Sequence, residues 1–196
     1  MRIAIISFVL SSSLQIFAAD SHIDFPTVEN NVDFEQVQSL PFRDEDHQLA
    51  YGADPLQYGK LYLPSDSSSP HPLVVFIHGG CWLNSFDMSH TYPFLTGLVQ
   101  AGFAVWSLEY RRTGDTGGGW PGTYNDIKSG IGFLPSLASY SVDVNNFVIA
   151  GHSAGGHRDS CSKRSNRHRA NHQHHKLQSG LKLVPGCSVS IHGLSV

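Results

Sequence analysis

Residues 147–155 read FVIAGHSAG, a short apolar run (Phe147–Ala150) followed at once by the pattern G-x-S-x-G. A serine at the centre of this pattern, directly after a strand, is typical of a sharp strand-to-helix turn that exposes the hydroxyl at the edge of a sheet. The flanking glycines let neighbouring backbone approach without a clash against a Cβ atom. We therefore predict that Ser153 is a nucleophile; the alternative is a glycine-rich turn with a surface serine.

A second glycine motif, His78-Gly79-Gly80-Cys81-Trp82, follows the apolar run Leu73–Ile77. Backbone N–H groups in such a loop can stabilise the negative oxygen that develops on a carbonyl under nucleophilic attack. One donor comes from this loop and another from the residue after the nucleophile. The sequence thus predicts an oxyanion hole, the alternative being a strand-ending turn beside a core tryptophan. Its candidate residues are Gly79, Gly80, Cys81 and Ala154.

Apolar runs and helical patterns alternate between residues 56 and 150. Continuous apolar runs indicate strands buried on both faces, and apolar residues three and four positions apart indicate helices. The predicted elements are the strands Leu56–Leu63, Leu73–Ile77, Phe103–Leu108 and Phe147–Ala150 and the helices Ser89–Ala101 and Asp126–Leu137. This alternation predicts an α/β fold in which the last three strands are adjacent, central and parallel, with the second helix crossing over between two of them.

The composition is that of a globular domain with an uneven charge distribution. Hydrophobic residues make up 40% and charged residues 15% of the 196 residues, which excludes a coiled coil and a wholly disordered chain. Residues 1–157 carry 6 Lys or Arg against 15 Asp or Glu, whereas residues 158–196 carry 7 against 1. The net charge of −3 argues against a nucleic-acid partner.

The N-terminus has the pattern of a targeting segment. Arg2 precedes the apolar run Ile3–Leu10, and small residues stand before position 20, as in a secretory signal peptide. The run is too short to span a bilayer, which takes about 20 apolar residues. We predict that residues 1–19 are a signal peptide and that the protein is secreted or lumenal, with no stable membrane anchor; a buried first strand or helix is the alternative.

Several stretches resemble a known group of enzymes. HGGCW at 78–82, EYRR at 109–112 with GGGWPGTYNDI at 117–127, and GHSAGGH at 151–157 are similar to the α/β-hydrolase esterases of the kynurenine formamidase and BD-FAE (feruloyl-esterase-like) type. The resemblance covers Tyr51–His157. It implies a partial α/β-hydrolase fold, a mostly parallel sheet flanked by helices, and hydrolysis of small-molecule carboxylic esters or formamides.

By this resemblance, Ser153 matches the nucleophile, Gly79–Cys81 the oxyanion loop, and Asp126 an acidic residue with an expected structural role. Candidates for the wall of the site are Trp82, Trp120 and Pro121. Nothing in the sequence implies a cofactor or a metal, and the oligomeric state is not indicated.

The pattern changes after Gly156. Residues 158–182 are basic and rich in histidine where the family has an apolar helix, and burying unpaired charges is costly. We expect this tract to be disordered, and its abrupt start is typical of a shifted reading frame or a misjoined exon. Strand character returns in residues 183–196, which leaves residues 20–157 as the N-terminal part of the hydrolase domain.

A serine nucleophile needs a base to accept its proton and an acid to orient that base. Their order in this fold is serine, acid, histidine, but the acid after Ser153 is Asp159, only six residues on. We assign neither role, and we therefore expect a weakly active or inactive esterase. The alternative is a non-catalytic, secreted ligand-binding protein.

The basic tract has two further interpretations. Its histidines could bind a metal, although no carboxylate or cysteine completes a convincing site; they are His168, His172, His174 and His175. The basic cluster Lys163–Arg169 could contact nucleic acid or act as a nuclear signal. A signal peptide argues against nucleic-acid contact and against a nuclear signal, and for the histidines the alternative is polar disorder.

Overall fold

The computed structural model of the protein describes residues 22–27, 33–66 and 70–156 and the backbone of residues 189–195. Within these residues six strands form one sheet in the order β1-β2-β4-β3-β5-β6. The strands are β1 (His47–Ala50), β2 (Tyr58–Tyr62), β3 (His71–Ile77), β4 (Ala104–Leu108), β5 (Val142–His152) and β6 (Val189–Ser195). The centre of the sheet is therefore β3, between β4 and β5.

The three central strands are parallel, which confirms the prediction from the sequence. Ile77 on β3 pairs with Leu108 on β4 and with Gly151 on β5, so the carboxyl ends of these strands meet at one edge. Every residue of β4 is buried, as the continuous apolar run indicates. The outer pairs β1–β2, β2–β4 and β5–β6 are antiparallel, and the sheet is mixed.

The described residues form α1 (Phe34–Gln38), α2 (Tyr92–Gln100) and α3 (Gly122–Gly132), and short 3-10 helices at Met88–Thr91 and Leu134–Tyr140. The helix predicted from Ser89 is thus a 3-10 turn followed by α2. Pro93 lies in the first turn of α2. Backbone N–H groups in the first turn have no helical acceptor, so the N–H that proline lacks costs no hydrogen bond there.

The bounds predicted for α3 from the sequence were wrong at both ends. The helix begins at Gly122, four residues before Asp126, because the Asp126 side chain bonds to Arg111 and Gln57 and does not cap a helix. It ends at Gly132, and the following residues form a 3-10 helix, since Pro135 cannot continue the α-helical hydrogen bonds.

Apolar layers cover both faces of the sheet. Val75 and Ile77 of β3 belong to the cluster that includes Ile127 of α3, whereas Val74 and Phe76 belong to the cluster of α2. Neighbouring residues of a strand point to opposite faces, so β3 contributes to both layers. This cover on two sides explains why its sequence has no polar alternation.

Some predictions lie outside the described residues: the signal peptide 1–19 and the basic tract 158–182. The backbone of β6 lies within the segment 183–196, where the sequence regains strand character, and pairs His152 with Val189. In the described part of the chain, no helix has the length and apolar character needed to cross a bilayer.

Candidate active site

Ser153 follows β5 directly and has a left-handed backbone, with φ 51°, while residues 154–156 are helical. This is the strand–turn–helix geometry expected of a nucleophile, and a non-glycine residue adopts it at an energetic cost. A Cβ atom on Gly151 would lie 2.5 Å from the Gly155 carbonyl carbon, and one on Gly155 would lie 2.2 Å from the Ile77 carbonyl oxygen. Both glycines are therefore needed to close the turn.

The loop after β3 lies against this turn. Three consecutive residues are left-handed: Gly80 with φ 115°, Cys81 with φ 53° and Trp82 with φ 59°. A Cβ atom on Gly79 would lie 2.8 Å from the His152 carbonyl oxygen and 3.1 Å from the Ser153 Cβ, so only glycine allows this approach. The two glycine motifs predicted from the sequence thus meet at the carboxyl edge of the sheet.

The backbone donors predicted for the oxyanion hole lie at this junction. Within the described residues, the N–H groups of Gly79, Gly80 and Cys81 form no hydrogen bond, and Ala154 begins the helix after Ser153, where N–H groups have no helical acceptor. Cys81 is exposed and forms no disulfide in this part of the chain. Free donors beside an exposed hydroxyl are the arrangement that acyl transfer requires.

A second loop supports the oxyanion loop from outside. The Thr113 N–H donates to the Trp82 carbonyl at 2.8 Å, and the Asn84 N–H donates to the Thr113 carbonyl at 3.1 Å. Leu83 and Thr113 therefore form an isolated parallel bridge. The glycine-rich stretch after β4 thus fixes the far end of the loop.

A buried carboxylate lies beneath the same loop, and the sequence analysis missed it. Glu109, 1% exposed, faces His78, which is fully buried, with 3.0 Å between Oε1 and Nε2. The Tyr110 hydroxyl donates to the His78 carbonyl at 2.6 Å. The sequence does contain a signal for this pair. His78 and Glu109 each directly follow a buried strand, and these strands, β3 and β4, are neighbours in the sheet.

Asp126 is buried in a polar cluster. Arg111 donates from Nε to Oδ2 at 2.8 Å and from its terminal nitrogen to Oδ1 at 2.6 Å, and Gln57 donates to Oδ1 at 2.7 Å. Burial alone would raise the pKa of the Asp126 carboxyl, but the hydrogen bonds from Arg111 and Gln57 hold it below its ordinary value. These contacts agree with the structural role that the resemblance implied.

Comparison with known families identifies this arrangement. A family model described as BD-FAE matches residues 60–182, a range that includes both glycine motifs, the His78–Glu109 pair and the Arg111–Asp126 pair. The chain belongs to the BD-FAE family. The α/β-hydrolase fold predicted from the sequence is confirmed.

Individual relatives of this BD-FAE chain are esterases. Esterase LipC of Mycobacterium tuberculosis is 30% identical over 56% of this chain and 27% of its own length. A probable isoprenylcysteine alpha-carbonyl methylesterase of Oryza sativa is 31% identical over 58% of this chain and 27% of its own. The chain therefore spans about a quarter of the length of these curated relatives. Among solved structures, esterase B of Lactobacillus rhamnosis is 27% identical, with a TM-score of 0.55 over 65% of this chain and 42% of its own.

Two further histidines lie near the carboxyl edge of the sheet. The His90 ring lies 6.0 Å from the His78 ring and 5.8 Å from the His152 ring. Burial lowers the pKa of both His90 and His152, and the nearby charge of His78 lowers it further. The lowered pKa values favour the neutral form of both rings.

The aromatic candidates occupy different environments. Trp82 is half-buried in the oxyanion loop. Trp120 is 75% exposed and packs on Tyr124, with 5.5 Å between the ring centroids, and Pro121 is also exposed. The place of Trp120 and Pro121 in the wall of the site stays a prediction.

Neither a base nor a metal centre is found in the described part of the chain. There the Ser153 hydroxyl forms no hydrogen bond, and no group of three His, Cys, Asp or Glu side chains is placed to hold a metal ion. The histidines proposed as metal ligands and Asp159 lie outside the described residues. His192 lies on β6 opposite Ile149 in the strand register.

Proposed function

We propose that the protein is a serine hydrolase of small-molecule carboxylic esters, with Ser153 as its nucleophile. The observation that carries this proposal is the junction of the two glycine motifs. It combines an exposed, left-handed Ser153 with the backbone of Gly79 packed against it and free N–H donors on the adjoining loop. Membership of the BD-FAE family and the esterase relatives support the same reaction class.

The reaction follows from this geometry. The Ser153 oxygen attacks the ester carbonyl and loses its proton to a base, while the carbonyl oxygen becomes negative and accepts hydrogen bonds from the loop and from Ala154. The carbon–oxygen bond to the alcohol then breaks, and the alcohol leaves with a proton. Water hydrolyses the acyl-enzyme by the same steps and releases the acid. We assign no residue as the base, and slow turnover is therefore expected.

The substrate class is an ester, with a formamide as the second candidate. The oxyanion hole acts on the carbonyl of either, but an alkoxide is a better leaving group than an amide nitrogen and needs less help from a general acid. The exposed edge at Cys81 and Ser153 is suited to a small molecule. No cofactor has a role in these steps.

Hydrolysis of p-nitrophenyl acetate and labelling by a fluorophosphonate test the nucleophile in the full chain. We expect slow turnover and labelling, both abolished in Ser153→Ala and unchanged in Ser129→Ala, which alters an exposed serine of α3. A version with a restored family-like C-terminal half after residue 157 should turn over faster through Ser153, because it would supply the missing base and acid. Activity that survived Ser153→Ala in a folded protein would refute the assignment.

Robust labelling of the unaltered chain would instead reveal a base that we have not identified. Binding of an ester without turnover or labelling would favour the alternative, a non-catalytic ligand-binding protein.

We also propose secretion or delivery to a lumen, on the basis of the signal-like residues 1–19. Mass spectrometry of the protein from its own cells tests this. A mature chain that begins near residue 20 supports the proposal, and a chain that retains Met1 overturns it.

A further inference from the structure

The His78 ring has an oxygen acceptor at each of its nitrogens. Nδ1 lies 2.7 Å from the Gly79 carbonyl oxygen and Nε2 lies 3.0 Å from Glu109 Oε1. A carbonyl only accepts, so Nδ1 must carry a hydrogen. A neutral imidazole has one donor and one acceptor, and only the imidazolium donates from both nitrogens. The second proton therefore lies either on Nε2 or on the Glu109 carboxyl.

The surroundings of Glu109 place that proton on His78. The carboxylate also accepts from the Tyr110 N–H at 3.0 Å and the Met88 N–H at 3.2 Å, and the Arg112 guanidinium lies 3.2 Å from Oε1. Hydrogen bonds and a cation that favour the ionised carboxylate disfavour its protonation. With these donors around it, the Glu109 carboxyl is more stable ionised than protonated.

The charges around His78 form an alternating series. His78 faces Glu109, Glu109 faces Arg112, and Arg112 Nε lies 3.5 Å from Asp115 Oδ2. The side chains of the first three are no more than 5% exposed. Unpaired charges would be unstable at this depth, but each buried charge here has a partner of opposite sign. The positive end of the series lies directly under the oxyanion loop.

The other groups that face His78 are compatible with a cation there. The Tyr110 ring stacks on the His78 ring, with 4.3 Å between centroids, which is a favourable cation–π arrangement. His90 is the next titratable ring, and Asp87 is the nearest acid on the same turn.

We infer that His78 is a positioning residue held as a buried imidazolium, whose charge stabilises the oxyanion through the Gly79–Cys81 backbone. Attack on an ester places a negative oxygen at this loop, and a fixed positive charge beneath it needs no reorganisation as the reaction proceeds. Glu109 holds the ring in place and keeps it protonated. The catalytic part of this inference rests on the proposed function, whereas the protonation of His78 does not.

Nitrogen NMR of the full chain with 15N-labelled histidine tests the protonation without requiring activity. His78, assigned through its own backbone connectivities, should show two protonated ring nitrogens near neutral pH. In Glu109→Gln it should become neutral, and the pKa of His152 should rise. Glu45→Gln, which alters a half-buried carboxylate paired with Lys60 of β2, should change neither. A single ring proton on His78 in the unaltered chain would overturn the inference.

The hydrolysis of p-nitrophenyl acetate tests the catalytic consequence. Glu109→Gln should lower kcat about 10- to 100-fold with KM unchanged, less than the roughly 10²–10³-fold loss that removal of an oxyanion donor causes. Glu45→Gln should keep the kcat of the unaltered chain. Equal kcat in the Glu109 and Glu45 variants, both folded, would overturn the catalytic role. Hydrolysis independent of Ser153 would overturn the proposed function alone, and the NMR result would still decide the state of His78.

Discussion

The two glycine-rich turns that form the candidate site are held in different ways. The Ser153 turn is fixed by close backbone contacts: Gly151 packs on Gly155, and Gly155 packs on the Ile77 carbonyl. The oxyanion loop is fixed by hydrogen bonds and charges, which come from Tyr110, Glu109 and the loop around Thr113. Both turns need glycine, but the oxyanion loop depends on ionised side chains as well.

The two turns therefore differ in the conditions and substitutions that would disrupt them. Steric packing does not depend on pH and fails abruptly when one atom is added. A buried polar network depends on the protonation of its members and fails when one partner is lost. The Ser153 turn should therefore be sensitive to volume, and the loop at Gly79–Cys81 should in addition be sensitive to charge and acid.

The largest effect is expected from Gly155→Ala. The new methyl group would lie 2.2 Å from the Ile77 carbonyl oxygen and 2.6 Å from the His78 carbonyl oxygen, and the backbone would have to move. We expect a loss of about 3 kcal/mol or more in the free energy of unfolding, since overpacking costs about 1–3 kcal/mol even against side chains. Urea denaturation measures this loss. A variant as stable as the unaltered chain would show that the turn is not sterically fixed.

The next effect concerns the loop that supports the oxyanion hole. Asp126→Asn removes the negative charge of a carboxylate that accepts two hydrogen bonds from the Arg111 side chain. We expect a loss of about 1–3 kcal/mol, below the roughly 3–5 kcal/mol for breaking a fully buried pair, because the Arg111 side chain is 21% exposed. Urea denaturation compares it with Asp24→Asn, which alters a fully exposed aspartate. Equal stability of the two variants would exclude a structural role for Asp126.

The same contrast explains what could be predicted from the sequence. The strands β3, β4 and β5 and both glycine motifs were found because local signals specify them: continuous apolar runs and glycines at a strand end. The start of α3 was misplaced because Asp126, a good cap by local rules, is bonded to Arg111 and Gln57. The pairing of His78 with Glu109 was missed for the same reason, since it joins residues 31 positions apart.

The third effect is a loss of stability in mild acid. His90 and His152 have pKa values below the ordinary value of about 6.5. As pH falls below that value, the unfolded chain binds protons that the folded chain does not, and the free energy of unfolding decreases. Above about pH 6.5 these groups are neutral in both states and contribute no pH dependence.

Urea denaturation at about pH 7.5 and about pH 5.5 measures this third effect on either side of the ordinary histidine value. The difference should be smaller in His90→Asn, which lacks one of the two groups, and unchanged in His22→Asn, which alters an exposed histidine. Carboxylates such as Asp126 lose their contribution only in stronger acid, because their ordinary value is about 3.9. An unaltered pH dependence in the His90 variant would assign the acid sensitivity to other groups.

The smallest effect is expected from Gly132→Ala, which makes the same chemical change as Gly155→Ala at the end of α3. Gly132 is exposed, and a Cβ atom there would meet nothing within 4 Å. Alanine should stabilise the protein by about 0.4–1 kcal/mol, because it restricts the unfolded chain and costs nothing in the folded one. Opposite signs for the two variants would locate the steric requirement at the nucleophile turn. Destabilisation by both would show that the chain is intolerant of alanine in general, and the contrast between the two turns would then fail.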